Sequence, residues 1–339
     1  MIPEQLAVWL QFLACAAVIT YAGSRLSKYG DVIADKTGLG GSLVGLVLLA
    51  TVTSLPELIT GISAVALAKA PDIAVGNVLG ACVMNLAMIV VLDFLHRGES
   101  VYSRASRGHI LSAAFGAMLL GFVALNLLVA GRGVVLAVGP VGLYSPLLIL
   151  FYGVALKVVY TYERREAAAY VESSADRYPH ITLRQAALRY GVAAAAVVGA
   201  ALWLPFIAED LARVMGWNQS FVGTLLVSAA TTLPEMTVTV SALRLGALDM
   251  AVGNLFGSNL FNLVLLALQD LFYLDGPLFS HVSAAHAMSA LSAVIMTGLA
   301  IAGLFYRPKE RVLGAVGWVS LLLAWIYVSN AYLLYRYGS

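Results

Sequence analysis

The segment "GLVLLATVTSLPELITGISA", Gly45 to Ala64, returns as "GTLLVSAATTLPEMTVTVSA", Gly223 to Ala242, at an offset of 178 residues. After a one-residue gap the match continues, with "DIAVGNVLGACVMN" from Asp72 aligning with "DMAVGNLFGSNLFN" from Asp249. Each copy places a proline and a glutamate side by side in an apolar run, as TSLPE at residues 53–57 and TTLPE at 231–235. Both residues are costly there, so their duplication decides how the chain is read.

Of the 339 residues, 61% are hydrophobic and 11% charged, which marks an integral membrane protein and leaves little for a soluble domain. Hydropathy predicts about ten spans, centred near residues 15, 52, 83, 118, 149, 197, 231, 260, 293 and 322. The copies occupy spans two and three and spans seven and eight. With five spans per half, an odd number, the halves cross the membrane in opposite senses. The expected fold is therefore all-α, with ten transmembrane helices in two inverted five-helix repeats: 1–165, a cytoplasmic connection 166–185, and 186–339. Such plans place the substrate near the midplane, where the repeats meet.

Basic residues gather in the odd-numbered connections, with Lys28 and Lys36, then Arg97, Arg104 and Arg107, then Arg164, Arg165, Arg177 and Arg184, and finally Arg307, Lys309 and Arg311. This predicts that those connections are cytoplasmic and both termini outside, in a bacterial or archaeal plasma membrane. The first apolar stretch follows Glu4 rather than a basic region and reads as a retained helix, not a signal peptide. Cys15 and Cys82 read as packing residues. Tyr29, Tyr102, Trp217 and Tyr332 lie near span ends, where interfacial belts form.

Pro56 lacks an amide proton and crowds the carbonyl four residues earlier, so it is expected to break the helix near Val52 and Thr53; Pro234 is expected to do the same near Ala230 and Thr231. Freed carbonyls in hydrocarbon need a partner, and a bound cation supplies one. Hydroxyls surround each break, Thr53 and Ser54 in one copy and Ser228, Thr231 and Thr232 in the other. With Glu57 and Glu235 they form an all-oxygen donor set suited to a hard cation. Calcium tolerates irregular coordination and is neutralised by two carboxylates; magnesium demands tighter geometry and ranks below it. The carbonyl of Ala50 is a further candidate. Asn85 and Asn262 are expected to line the site. Asn77 and Asn254 are balanced between lining it and bonding helix to helix, and the glycines of GNVLG and GNLFG read as close-packing positions. Asp72 and Asp249 are expected to cap helices, Asp93 and Asp270 to be interfacial, and the five histidines show no ligand spacing.

A duplicated TSLPE-like segment followed by GNxxGSNxxN resembles the cation/calcium antiporter superfamily, most closely its prokaryotic sodium/calcium exchangers. The resemblance implies Ca2+/Na+ antiport by alternating access. Glu57 and Glu235 would be central ligands, helped by the carbonyls of Thr53 and Thr231. Ser54, Thr232 and Ser258 would serve flanking sodium sites, Asn85 and Asn262 the middle, and spans one and six would slide as a gate. The chain departs from the pattern at Ala81 and Cys82, where a serine and an asparagine are usual, at Val52 and Ala230, where glycine is common, and at Asn262, often aspartate. A proton counter-ion or another divalent cation such as magnesium stays open. The expected partners are inorganic cations and membrane lipid, with no cofactor, nucleic acid or obligate protein partner. A channel would gather several subunits around an axis, and an intramembrane hydrolase would show HExxH or GxSxG; neither pattern is present.

Overall fold

The computed structural model describes residues 4–37, 53–96, 99–167, 180–312 and 314–338. Ala50, Val52, Arg97 and most of the 166–185 connection lie outside them. In chain order the main helices are α1 (Glu4–Thr37), α2 (Leu55–Ala68), α3 (Pro71–Leu95), α4 (His109–Ala130), α5 (Tyr144–Ala167), α6 (Leu183–Met215), α7 (Gln219–Arg244), α8 (Leu248–Phe272), α9 (His286–Tyr306) and α10 (Trp318–Tyr337). Among the described residues nine helices are long and apolar enough to cross a bilayer, and α2 is a shorter apolar one. A two-stranded hairpin, Ala137–Val138 with Val141–Gly142, precedes α5.

The packing follows the inverted repeat. Helix α1 lies along α6 and touches α7, while α6 touches α2. Helix α3 is covered by α9 and α10, and its counterpart α8 by α4 and α5. Contacts at the helix ends show the opposite orientation of the halves. Lys69, in the turn from α2 to α3, meets Asp275 just past α8 at 3.0 Å, so the C-terminal ends of α2 and α8 share one face. At the other face, the start of α8 meets the segment before α4 through Asp249 and Ser106.

Local chemistry sets several boundaries. Thr182 and Gln185 form a reciprocal capping box at the start of α6, each bond 3.3 Å, and Gly216 ends that helix with a positive φ of 66° that suits glycine. The two prolines act differently. Pro56 lies in the first turn of α2, after a single non-helical residue, Ser54. Pro234 lies inside a continuous α-helical stretch, Ser228–Arg244, so the break expected at Ala230 and Thr231 is absent. The helix is instead irregular upstream, as a π-helical segment Val222–Val227 whose wide turns absorb the adjustment. A second π-helical segment, Ala64–Ala68, ends α2.

Three expectations are corrected by long-range contacts. Asp93 and Asp270 are fully buried rather than interfacial. Asp93 accepts from the amides of Val101 (2.9 Å) and Gly317 (2.6 Å) and the hydroxyls of Ser100 and Ser320 (3.0 and 2.7 Å). Asp270 accepts from the amides of Gly142 (2.9 Å) and Leu278 (2.7 Å) and the hydroxyls of Tyr144 and Ser145. A carboxylate at a helix C-terminus opposes the dipole, and four donors offset that cost. Asp72 and Asp249 do not cap their own helices. Asp72 accepts from Ser283 N (2.7 Å) and pairs with His286 Nε2 (2.9 Å); Asp249 accepts from Ser106 N (2.6 Å) and pairs with His109 Nε2 (3.1 Å). The two histidines are thus equivalent positions of the repeat, a relation that ligand spacing does not reveal. Tyr102 is buried, its hydroxyl 3.2 Å from Ser320 Oγ, whereas Tyr332 is exposed.

Candidate functional site

The glutamates meet at the centre of the bundle. Pro56 and Ser54 set the start of α2 and present Glu57 in its first turn; Pro234 presents Glu235 within α7. Both are 1% exposed. Each accepts a hydroxyl from the opposite half: Thr232 Oγ1 reaches Glu57 Oε1 at 3.2 Å, and Ser54 Oγ reaches Glu235 Oε1 at 3.5 Å. The exchange obeys the repeat, since Ser54 and Thr232 are equivalent, as are Glu57 and Glu235. The second oxygen of each carboxylate, Oε2, is buried without a hydrogen-bond partner. Among the described residues no ion pair involves either glutamate. A buried carboxylate so placed costs several kcal/mol unless a positive charge joins it.

Helices α3 and α8 carry the buried asparagines. Asn85 donates from Nδ2 to Asn259 Oδ1 at 3.0 Å, and Asn259 donates in turn to the Cys82 carbonyl at 3.2 Å. Asn85 and Asn262 each keep Oδ1, a neutral acceptor, buried and unpartnered. Thr53, Thr231 and Ser258 are buried. Thr231 Oγ1 donates to Asn77 Oδ1 at 2.9 Å, and Ser228 turns its hydroxyl back to the Thr224 carbonyl, which spends its proton within α7. Asn254 bonds Thr239 at 3.0 Å. The structure therefore links Glu57 with Thr232 and Glu235 with Ser54 across the two halves, buries Asn85 and Asn262, and gives Asn77 and Asn254 hydrogen bonds between side chains.

The first GNVLG is a close-packing face. A Cβ at Gly80 would fall 2.2 Å from the Thr224 carbonyl oxygen, and one at Gly76 3.0 Å from Thr224 N. This contact seats α3 against the π-helical part of α7. Asn259 was not singled out by the sequence reading; its signal lay in the mismatch with its equivalent, Cys82. Both cysteines are buried free thiols.

Known proteins resemble this chain in sequence and in fold. The chain is 28% identical over 255 residues to the inner membrane protein YrbG of Escherichia coli (strain K12), covering 74% of each chain. It is 29% identical over 277 residues to the sodium/calcium exchanger MaX1 of Methanosarcina acetivorans, covering 73% of this chain and 77% of that protein. Its fold matches the crystal structure of the H+/Ca2+ exchanger CAX with a TM-score of 0.67 at 14% identity, over 97% of this chain and 88% of the other. The family described as "Sodium/calcium exchanger protein" matches residues 7–161 and 186–336, which takes in both halves and both glutamates. With a duplicated acidic motif on inverted helices and a family match along nearly its whole length, the chain belongs to the sodium/calcium exchanger family.

Proposed function

We propose that this chain is a secondary-active antiporter that exchanges Ca2+ for Na+ by alternating access, with Glu57 and Glu235 as the shared central ligands. One observation carries the reading: two buried carboxylates on inverted helices each take a hydroxyl from the opposite half and keep one oxygen unpartnered. Two carboxylate oxygens and the amide oxygens of Asn85 and Asn262 suit Ca2+, which accepts irregular oxygen coordination. Ser54, Thr232 and Ser258 supply hydroxyls, and Thr53, Thr231, Ser228 and Ala50 complete the proposed set through hydroxyls or carbonyls. Either Ca2+ or its counter-ion neutralises the pair, so each competes with the other, and competition at one site is what couples two opposed fluxes.

The long packed pair α1 and α6 is the proposed moving element, crossing the site as a unit while α3 and α8 stay tied at their ends by Asp93 and Asp270. The basic odd-numbered connections place themselves in the cytoplasm and both termini outside, in a prokaryotic plasma membrane. Residues 166–185 form the connection between the halves, which the interval in the family match supports.

A second reading, proton-coupled exchange, is favoured by Ala81: its equivalent Ser258 carries a hydroxyl, so one flanking oxygen is present in only one half. Calcium uptake into proteoliposomes, driven in parallel by an outward sodium gradient and an outward proton gradient, separates the two. Uptake with sodium supports the first reading and uptake with protons alone the second. If neither drives calcium but magnesium moves, calcium is the wrong substrate.

A further inference from the structure

The inverted repeat allows a residue-by-residue comparison of the two routes from the central site to the membrane faces. Toward the face marked by Lys69 and Asp275, α2 continues from Glu57 through Thr60 and Gly61, and α8 continues from Asn262 to Gln269. Ser258, Asn262 and Gln269 follow one another at spacings of four and seven, so they share one stripe of α8. The equivalent positions toward the opposite face are Val238 for Thr60, Thr239 for Gly61 and Leu92 for Gln269. One route carries a hydroxyl and a carboxamide where the other carries valine and leucine.

These polar groups are buried and unsatisfied. Thr60 is 0% exposed and Gln269 1%. Thr60 Oγ1 and both Gln269 side-chain atoms, Oε1 and Nε2, lack hydrogen-bond partners, as does Asn77 Nδ2. The equivalent of Asn77, Asn254, is satisfied by the Thr239 hydroxyl. Its partner position in the first half is Gly61, which offers no hydroxyl and leaves space that Gln269 enters: a Cβ at Gly61 would lie 2.0 Å from Gln269 Nε2. Three buried side chains with unsatisfied polar atoms are costly unless a ligand meets them.

We propose that Thr60 and Gln269, with Asn77 behind them, form a second cation station, present on this route alone, that receives a partly hydrated cation between the central carboxylates and the face marked by Lys69 and Asp275. Thr60 Oγ1 and Gln269 Oε1 replace part of the hydration shell, and the amide nitrogens of Gln269 and Asn77 donate to outer waters. The station carries no charge, so it holds an ion weakly and passes it on to Glu57. The inference rests on the antiport reading and adds an asymmetry to it. Ions approach from one face through a polar step, and from the other past Val238 and Leu92.

The test converts the station to its apolar equivalents, Thr60→Val and Gln269→Leu, singly and together. Half-saturating Ca2+ for exchange is measured in intact cells and in inverted membrane vesicles, which present opposite faces to the medium, and Ca2+ binding to the purified protein is followed by calorimetry. The expected result for the double variant is a rise of about fivefold or more in half-saturating Ca2+ at the Lys69 and Asp275 face only, with binding to the purified protein within about twofold of wild type. The isosteric Thr60→Val alone gives a smaller one-sided rise and keeps the test open should Gln269→Leu fail to fold. Equal changes at both faces, or none, overturn the station while leaving the antiport reading standing. A wild-type chain that moves no cation under any gradient removes both.

Discussion

In the first half Glu57 sits in the opening turn of α2, after a one-residue interruption at Ser54, whereas in the second half Glu235 sits within the unbroken stretch Ser228–Arg244. Equivalent sequence has produced unequal backbone. A helix start favours negative charge, so Glu57 gains from its position, while Glu235 depends more on the Ser54 hydroxyl and on the cation. The wide π-helical turns of α7 lie directly against Gly76 and Gly80 of α3, and that contact holds the upstream part of α7 in place. The lesson is that a proline need not break a helix whose preceding turns pack tightly on a neighbouring one.

The two carboxylates are nonetheless expected to be equally necessary. Glu57→Gln and Glu235→Gln should each lower exchange by at least about 100-fold in proteoliposomes, with membrane insertion unchanged. A variant that kept a tenth of wild-type exchange would break the equivalence and assign the site to one half. Next in size is the comparison of the buried anchors. Asp93→Ala and Asp270→Ala each strand several donors and should destabilise the protein by about 3 kcal/mol, read as loss of thermal stability in detergent. If only one does so, the halves differ in their framework as well as their backbone. A smaller contrast concerns the glycines. Gly80→Ala meets the Thr224 carbonyl and should cost about 2 kcal/mol, whereas Gly257→Ala meets nothing within 4 Å and should stay within about 0.5 kcal/mol, again by thermal stability. The smallest effect is expected of Ala81→Ser, which restores the hydroxyl of its equivalent, Ser258. It should strengthen sodium competition with calcium by about threefold if sodium is the counter-ion, and leave it unchanged if protons are.

The fold was legible because its signals are local. Ten apolar stretches gave the helices, and the copies around Glu57 and Glu235 gave the inverted plan. The cross-half bonds of Glu57 with Thr232 and of Glu235 with Ser54 fall on residues the sequence marks, because each carries an expensive group inside a span and recurs in the other copy. The contacts of Asp72, Asp93, Asp249 and Asp270 were not. In its own segment each side chain looks like a helix cap (Asp72, Asp249) or an interfacial carboxylate (Asp93, Asp270), and its partners lie more than 100 residues away for all but the nearest loop, as with His286 for Asp72 and Gly142 for Asp270. Gln269 escaped for a different reason: its equivalent is leucine, so comparing the copies for what they share passes over it. The break at Pro234 was misread because the rule for proline describes an isolated helix, and α7 is held by α3.

The asymmetry of the anchors extends to the order in which the protein is made. The donors from Gly142, Tyr144 and Ser145 are synthesised before Asp270, so α8 finds three of the four donors of its anchor already present. Asp93 must wait for Gly317 and Ser320, which follow it by 224 and 227 residues. At ordinary rates of synthesis that interval is about 10 to 45 s. During it α3 lacks the last helix that covers it, and a chain released before Gly317 is expected to be cut by protease near Asp93 where the full chain resists. The first half to be translated is therefore the last to be completed.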